Sequence, residues 1–318
     1  MRLMLSAAVI ILLFVVDSLL AQTTSEPWPR ANSAQASAAA TQPDQPVSPQ
    51  VPRLQRRSAQ DKQAPRAPFT LSPEENRLLD RVLTAWEQRS KTVKTFDCNF
   101  KRWEYDPVFV KPGSDPNAPL HVDYGILKYA VPDKGVFRVL KTENSQGKVV
   151  PVEEERADHW ICDGKSIFQY APRQKRLIEH KLPPDLQGKS IVDGPLPFLF
   201  GAEAKKLRGR YFLRMVSPPP ERKNEIWLEA YPRLQTDAAN FRSATLALSA
   251  KDMTPKALQL YLPNGKARAS YEFYDIVVND PLRVFQGNPF QAFTPRGWQK
   301  VVDEQPAAQA GRPSAEIR

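Results

Sequence analysis

The sequence predicts a mainly β (α+β) domain, in which a curved antiparallel sheet has an apolar concave face covered by helices. Three observations lead to this prediction. Segments of alternating apolar and polar residues recur at short intervals, turn sequences separate them, and only two segments have helical character. Hairpin connections pair neighbouring strands antiparallel. A count of roughly nine to eleven strands favours curling into a barrel or half-barrel over a flat sheet.

The first structural element of the domain is a helix. Ser72 is a suitable N-cap, Pro73 suits the first helical position, and Glu75 completes a capping box. Apolar residues at helical spacing then continue as far as Trp86. This pattern predicts an amphipathic helix from Pro73 to about Arg89.

The strands begin after this helix. From Phe96 onward the period of the pattern is two, so that Phe96, Cys98 and Phe100 point to one face of a half-buried strand. Later alternating segments end at turns such as Asp163-Gly164 and Asn264-Gly265, which are typical of tight hairpins. These connections predict a meander of antiparallel strands.

A non-strand insert interrupts the meander. From Gly194 to Gly201 the chain is apolar and contains two prolines, and a polar helix-like run follows to about Arg208. Together with the first helix, the insert can cover the concave face of the sheet. Both a core filled by side chains and a ligand cavity beneath the helices fit this arrangement.

The N-terminal region is predicted to be a cleaved secretory signal peptide, residues 1–21. An apolar run from Leu3 to Val16 follows Arg2, and Ala21 precedes a polar stretch. A membrane anchor is the alternative, but about 14 apolar residues are too few to span a bilayer comfortably. We therefore expect a protein that is exported from the cytoplasm.

Three further regions follow the signal peptide. Residues 22–68 are rich in Ala, Pro, Gln and Ser and poor in large apolar residues, which predicts a disordered tether. The folded domain is expected at residues 69–302. A disordered C-terminal tail is expected at residues 303–318.

The charge of the chain does not predict a nucleic-acid partner. The formal net charge of the whole chain is +10. From Phe69 onward, 38 Lys and Arg stand against 31 Asp and Glu, and the excess is spread diffusely. An exported protein rarely meets nucleic acid. Solubility explains this excess, and weak attraction to anionic membrane surfaces is the functional alternative.

The residues offer little chemistry for catalysis or metal binding. His121, His159 and His180 are scattered without metal-ligand spacing, and the sequence has neither a phosphate-binding glycine loop nor a lipase nucleophile elbow. We expect no cofactor and no enzyme activity, with an unrecognised hydrolase as the alternative. Cys98 and Cys162 are predicted to form a disulfide in an oxidising compartment, and two buried free thiols are the alternative.

Several local patterns, taken in chain order, resemble the periplasmic outer-membrane lipoprotein carrier family, the LolA-like proteins. The most specific piece is Asp163-Gly164-Lys165 after Cys162, followed by Tyr170 and Pro172. The other pieces are Trp86, Phe96 and Phe100, Gly125-Ile126-Leu127 with Pro132 and Phe137, Pro195 to Phe200, and Ala269 to Asn279 with Phe290, Phe293, Pro295 and Gly297. The chain resembles a divergent member with a long disordered N-terminal extension.

This resemblance implies an unclosed half-barrel with a helical lid, which holds acyl chains of a lipoprotein or another lipid in the periplasm. It also implies membrane-associated donor and acceptor proteins as possible partners. The chain departs from the family at Val131, where the carriers have an arginine that ties the lid shut. A sensor or protein-interaction module with the same fold is the alternative function.

The expected ligand-binding residues lie on the lid and on the concave face. On the lid side they are Trp86, Phe198, Leu199 and Phe200. On the sheet side they are Phe96, Phe100, Ile126, Phe137, Val139, Tyr271 and Phe273. Plain core packing is the alternative for each of them, because inward aromatic residues are usually core residues.

Overall fold

The computed structural model describes residues 67–109, 115, 118–184, 187–188 and 203–303. The predicted signal peptide, nearly all of the predicted tether and most of the predicted C-terminal tail lie outside these residues. So do the predicted lid residues Phe198, Leu199 and Phe200.

Helix α1 spans Pro73–Thr92 and begins where the sequence predicts. The Glu75 N–H donates to the Ser72 hydroxyl at 3.2 Å, and the Ser72 N–H donates to the Glu75 carboxylate at 2.7 Å. These two bonds satisfy donors that the first turn of a helix leaves free. The prediction of the capping box is confirmed, and the helix extends three residues beyond the predicted end.

All thirteen strands of the described chain belong to one sheet, which is mostly antiparallel and does not close. Along the sheet the order is β13-β7-β6-β5-β3-β2-β1-β12-β11-β10-β9-β8, and β4 pairs with β3 beside this path. The strands are β1 Thr95–Tyr105, β2 His121–Ala130, β3 Lys134–Glu143, β4 Val149–Pro151, β5 His159–Cys162, β6 Ser166–Ala171, β7 Arg176–Lys181, β8 Tyr211–Val216, β9 Glu225–Pro232, β10 Ser243–Ser249, β11 Pro255–Tyr261, β12 Arg268–Val278 and β13 Gln299–Asp303. The predicted class, a mainly β unclosed half-barrel, is confirmed.

The main core lies between the sheet and α1. Alternate residues of the strands, from Phe96 in β1 to Phe273 in β12, are buried in this core. They are buried together with Leu79, Leu83 and Trp86 of α1. We call this face of the sheet the concave face. The alternation predicted for β1 is confirmed, because Phe96, Cys98 and Phe100 are buried while the residues between them are partly exposed.

The opposite face of the sheet carries a second, smaller core that the sequence analysis did not predict. Val136, Ile161 and Phe168 of three neighbouring strands are buried there with Tyr170 and Leu177. Phe290, from the C-terminal part of the chain, is buried in the same cluster, and Ala292 and Trp298 pack against it. Strands β3, β5 and β6 therefore carry buried side chains on both faces of the sheet.

Two strands were missed by the sequence analysis, and one of them changes the pairing pattern. β4 has only three residues, which is too short to show a periodic pattern. β13 pairs with β7 in parallel, as the only parallel pair among the described strands. At this edge the sheet departs from the antiparallel pairing that the sequence predicts. A parallel pair needs a long connection, and the chain from β7 to β13 supplies one that no local turn signal reveals.

Two short helices complete the described fold. Helix α2, Ala204–Arg210, occupies the predicted helix-like run, and α3, Gln235–Ala238, is a single turn between β9 and β10. None of the helices in the described part of the chain combines the length and hydrophobicity needed to cross a bilayer.

Candidate functional site

The concave face of β1, β2, β3 and β5 is a set of apolar rungs that cross the strands. One rung joins Cys98, Leu127, Phe137 and Trp160, which are direct cross-strand partners. In the next rung, Phe100 lies opposite Gly125. Aromatic and aliphatic side chains on adjacent strands lie close enough to pack together. The strands thus provide a continuous apolar surface beneath α1.

Phe100 is at the centre of this surface. Its ring stacks on Phe137, with the ring centroids 4.7 Å apart, and meets the edge of Tyr271 at 6.0 Å. Gly125 leaves the space for it, because a Cβ at that position would overlap the Phe100 ring and the Arg138 carbonyl oxygen. The glycine of the Gly125-Ile126-Leu127 pattern is therefore required by the close approach of an aromatic ring.

The apolar side chains of α1 pack against the concave face of the sheet. The four buried side chains of the helix are Leu79, Val82, Leu83 and Trp86. Trp86 is 2% exposed, and Phe100 on the sheet is 0% exposed. At these residues the concave face is occupied by the protein's own side chains. An acyl chain can enter here only if α1 moves.

The structure brings most of the expected sheet-side residues together but separates one of them. Phe96, Phe100, Phe137, Val139, Tyr271 and Phe273 all belong to the main core with Trp86. Ile126 instead lies between Asn99 and Arg138 of the neighbouring strands, on the other face of the sheet. The reason is the two-residue period of β2, which turns Gly125 and Leu127 inward.

Trp160 is not among the predicted site residues, although the structure places it in the same core. Trp160 is 1% exposed and lies opposite Phe137. Its alternation with Cys162 was the available signal, because residues two apart in a strand share a face. We include Trp160 in the candidate site.

One end of the concave face is polar, which the sequence analysis also missed. Arg102 follows Phe100 on the same face of β1 and is 2% exposed. Its Nη2 lies 2.7 Å from the Asp123 carboxylate, and its Nη1 lies 3.0 Å from Asp158 and 3.4 Å from Glu104. Burial alone would lower the pKa of Arg102, but the surrounding carboxylates outweigh it and raise this pKa. The apolar surface therefore ends at a buried ion network.

The predicted disulfide between Cys98 and Cys162 is wrong, since both are buried free thiols. Strands β2 and β3 lie between the strands that carry them. With strands about 4.8 Å apart, three steps place their Cα atoms roughly 14 Å apart, and a disulfide bridges at most about 7 Å. Burial raises the pKa of Cys162 to about 12. Both thiols contribute to the apolar surface as small side chains.

Helix α2 lies against α1 and is joined to it by polar contacts. The Ala204 N–H donates to the Glu87 carboxylate at 3.0 Å, and Arg208 pairs with Asp80 at 2.6 Å. Leu207 adds an apolar contact to the core beneath. The two helices thus form one layer over the sheet.

The side chains of Asn279 and Asp133 fix two chain segments next to the layer formed by α1 and α2. The Asn279 side chain accepts from the Lys94 N–H at 2.6 Å and donates to the Thr92 carbonyl at 2.8 Å, which fixes the C-terminal end of α1. The Asp133 carboxylate, which is buried, accepts from the Gly188 N–H at 2.7 Å. Asp133 therefore anchors the chain shortly before the predicted lid segment.

Val131, the position that departs from the family pattern, is exposed in the turn between β2 and β3. Its N–H donates to the Lys94 carbonyl at 2.9 Å. Its side chain, 47% exposed, is therefore not part of the buried core.

The three histidines lie apart in the fold. His159 stacks on Tyr170 with ring centroids 4.1 Å apart, and His180 Nδ1 lies 3.1 Å from the Asp303 carboxylate. His121 is at the start of β2. In the described part of the chain, no three His, Cys, Asp or Glu side chains are grouped so that they could hold a metal ion.

His159 makes the stability of the fold depend on pH. Burial, and secondarily Arg138, lowers the pKa of His159 from 6.5 to about 4. At a pH between these two values, His159 is protonated in the unfolded chain but neutral in the folded chain. The free energy of unfolding therefore keeps its full value above the unfolded pKa and decreases as the pH falls toward the folded pKa. We expect the free energy of unfolding to be about 2 kcal/mol lower at pH 5 than at pH 7 from this residue.

The measurement is urea unfolding at both pH values for the wild type and for His159→Gln. In His159→Gln, the difference in the free energy of unfolding between pH 7 and pH 5 should be smaller by about this amount. His121→Gln is the control, because the pKa of His121 is lowered less. An unchanged pH dependence in His159→Gln would contradict the assignment.

Comparisons with known proteins gave matches among solved structures. No family model and no curated protein matches the sequence. An uncharacterised conserved protein from Thermus thermophilus matches with a TM-score of 0.38 and 11% identity, covering 70% of this chain and 98% of that one. A LolA superfamily protein from Nitrosomonas europaea matches with a TM-score of 0.32 and 10% identity, covering 67% and 99%.

A third match is the complex of MucA and MucB from Pseudomonas aeruginosa, with a TM-score of 0.35 and 15% identity, covering 68% of this chain and 61% of that one. All three TM-scores are below 0.5. None of the three likenesses bears on the function of this chain.

Proposed function

We propose that the protein is an exported, noncatalytic carrier or binder of lipoprotein acyl chains or other lipids, which bind on the concave face of the half-barrel beneath α1. One observation carries this proposal. All four buried side chains of α1 are apolar, and they cover an apolar surface that runs across the central strands. An acyl chain offers that surface the same kind of contact as the helix does.

The binding energy available for this exchange is large. Each CH₂ transferred from water to an apolar site contributes roughly 0.8 kcal/mol, so a chain of about 16 carbons can contribute on the order of 10 kcal/mol. This contribution must exceed the cost of moving α1 away from the sheet. A ligand shifts the population toward the open state by its differential affinity for that state. No cofactor or nucleophile takes part in such a cycle.

The contacts of α1 suggest how the cover opens. Asn279 fixes the C-terminal end of the helix, whereas Glu87 and Asp80 join the middle of the helix to α2. We expect α1 and α2 to move together, with the Asn279 contact as the pivot. In this proposal, Phe198, Leu199 and Phe200, which lie outside the described residues, are further side chains that contact the acyl chain.

The proposed location and partners follow from the same cycle. An exported acyl-chain carrier in the periplasm takes up its lipid from one membrane and delivers it to a separate acceptor. Membrane-associated donor and acceptor proteins are therefore the proposed partners. Release does not use the family's lid arginine, because Val131 stands in its place.

The test is native mass spectrometry of the protein purified from the cell envelope, together with the uptake of a fluorescent fatty acid. We expect a co-purified lipid or lipoprotein and saturable uptake that an unlabelled fatty acid displaces. Absence of both would contradict the proposal. That result would favour a sensor or protein-interaction module, since the concave face is filled in the present structure.

A further inference from the structure

The chain after β12 crosses the face of the sheet opposite to α1. We call residues Pro281 to Trp298 the C-terminal strap. It begins with a 3₁₀ helix, Pro281–Phe285, and it leads into β13. Phe290 is 5% exposed and packs in the second core of the sheet. The strap is therefore a fixed part of the fold.

Polar contacts hold the strap at three points. Tyr170 donates to the Phe293 carbonyl at 3.0 Å and accepts from the Phe293 N–H at 3.1 Å. Arg283 pairs with Asp97 at 2.7 Å near its beginning. The Gln299 N–H donates to the Lys175 carbonyl at 2.9 Å just after its end. These contacts fix which side of the strap faces the solvent.

Three large apolar side chains of the strap are exposed among polar residues. Phe285 is 84% exposed, Phe293 is 67% exposed, and Leu282 is 61% exposed. Only Val108, at 68%, is comparably exposed among the other large hydrophobic residues of the described chain. Trp298, at the end of the strap, is partly exposed. Grouped exposed apolar side chains of this kind mark interaction sites.

The charged side chains within the strap are all positive, since no acidic residue occurs from Pro281 to Val302 in the sequence. Asp280, immediately before the strap, accepts from the Leu282 N–H at 2.8 Å and from the Gln286 side chain at 2.9 Å. The neighbouring carboxylates Asp97 and Glu179 pair with Arg283 and Lys300. The Asp303 carboxylate lies 3.1 Å from Nδ1 of His180, whose pKa is lowered by burial. Arg296 is exposed, as are Lys175 and Arg176 in the adjoining turn. None of these three makes an ion pair with another residue that the structure describes.

We propose that the C-terminal strap is a docking surface for an anionic phospholipid bilayer. Leu282, Phe285 and Phe293 enter the interfacial region of the bilayer, and the exposed cations bind the lipid phosphates. Aromatic side chains beside Arg and Lys are the combination that favours the membrane interface, and each cation near an anionic leaflet strengthens binding. The surface lies on the opposite face from the proposed acyl-chain site, so the two proposals stand or fall separately.

The test is co-sedimentation of the full chain with vesicles of phosphatidylcholine, with and without phosphatidylglycerol. We expect binding to the vesicles that contain phosphatidylglycerol, and weakening of that binding at high salt. Phe285→Ser/Phe293→Ser should reduce the partition coefficient about tenfold, because it removes two inserted rings. Arg296→Glu should reduce it at least about fivefold.

The controls are exposed residues outside the strap. Val108→Ser/Leu234→Ser removes two apolar side chains that are 68% and 49% exposed, and Lys251→Glu reverses an exposed charge. Both should bind vesicles as the wild type does. All variants should keep the wild-type melting temperature and fatty-acid uptake, since every substituted side chain is exposed.

Two results would overturn the proposal. One is equal vesicle binding by Phe285→Ser/Phe293→Ser and the wild type. The other is retention of the wild type by membranes that contain protein but not by protein-free vesicles with phosphatidylglycerol, which would assign the strap to a protein partner.

Discussion

Replacing Trp86 by alanine is expected to weaken the fold and to strengthen fatty-acid binding at the same time. The loss of this buried ring should lower the free energy of unfolding by about 3–5 kcal/mol. It leaves a cavity lined by apolar residues between α1 and Phe100. Such cavities stay dry and accept apolar ligands. An acyl chain then enters without first displacing the tryptophan.

The measurements for Trp86→Ala are urea unfolding and titration with a fluorescent fatty acid. Trp103→Ala is the matched control, because Trp103 lies on the other face of β1, partly exposed and 5.0 Å from the Lys101 ammonium. The control should leave the affinity unchanged. Lower stability of Trp86→Ala without any gain in affinity would show that the concave face is only a core.

Replacing Arg102 by methionine should be as damaging as the change at Trp86. Arg102 is buried beside Asp123, Asp158 and Glu104. Without the guanidinium, Asp123, which is 1% exposed, would be left without its closest ion-pair partner. Removing one member of a buried ion pair costs about 3–5 kcal/mol, mostly through the charge left behind. We expect a loss of this size in urea unfolding.

A double variant separates this cause from loss of packing. The double variant Arg102→Met/Asp123→Asn also removes the carboxylate charge that Arg102→Met leaves without its partner. Part of the lost stability should therefore return, and the double-mutant cycle should show coupling between the two sites. Arg222→Met is the control, since Arg222 pairs with Glu272 near the surface with exposures of 34% and 43%. It should cost less than about 1 kcal/mol. A loss of less than about 1 kcal/mol in Arg102→Met would contradict the assignment of Arg102 to a buried ion network.

Local patterns were sufficient to predict much of the fold. The Ser72 capping box determined the start of α1, and the alternation at Phe96, Cys98 and Phe100 identified both β1 and its buried face. These features depend on residues within a few positions of one another. The class of the sheet followed, because hairpin turns determine antiparallel pairing locally.

Features that depend on distant parts of the chain were not predicted. β13 reaches β7 across more than a hundred residues, and the strap covers a second core on the face opposite to α1, where no core was predicted. Cys98 and Cys162 share a face, but the order of the strands separates them. Ile126 was assigned to the wrong face because the apolar Gly125-Ile126-Leu127 run hides the two-residue period. Arg102 gave no signal, since its three carboxylate partners come from three segments.

The most direct test of the acyl-chain site is the quenching of tryptophan fluorescence by a fatty acid brominated in mid-chain, compared with the unbrominated acid. Bromine quenches only tryptophans that the chain touches, and Trp86 and Trp160 are the tryptophans in the main core. The account predicts saturable quenching that Trp86→Phe/Trp160→Phe largely abolishes and that Trp103→Phe retains. Equal quenching in all three proteins, or no quenching in the wild type, would contradict it.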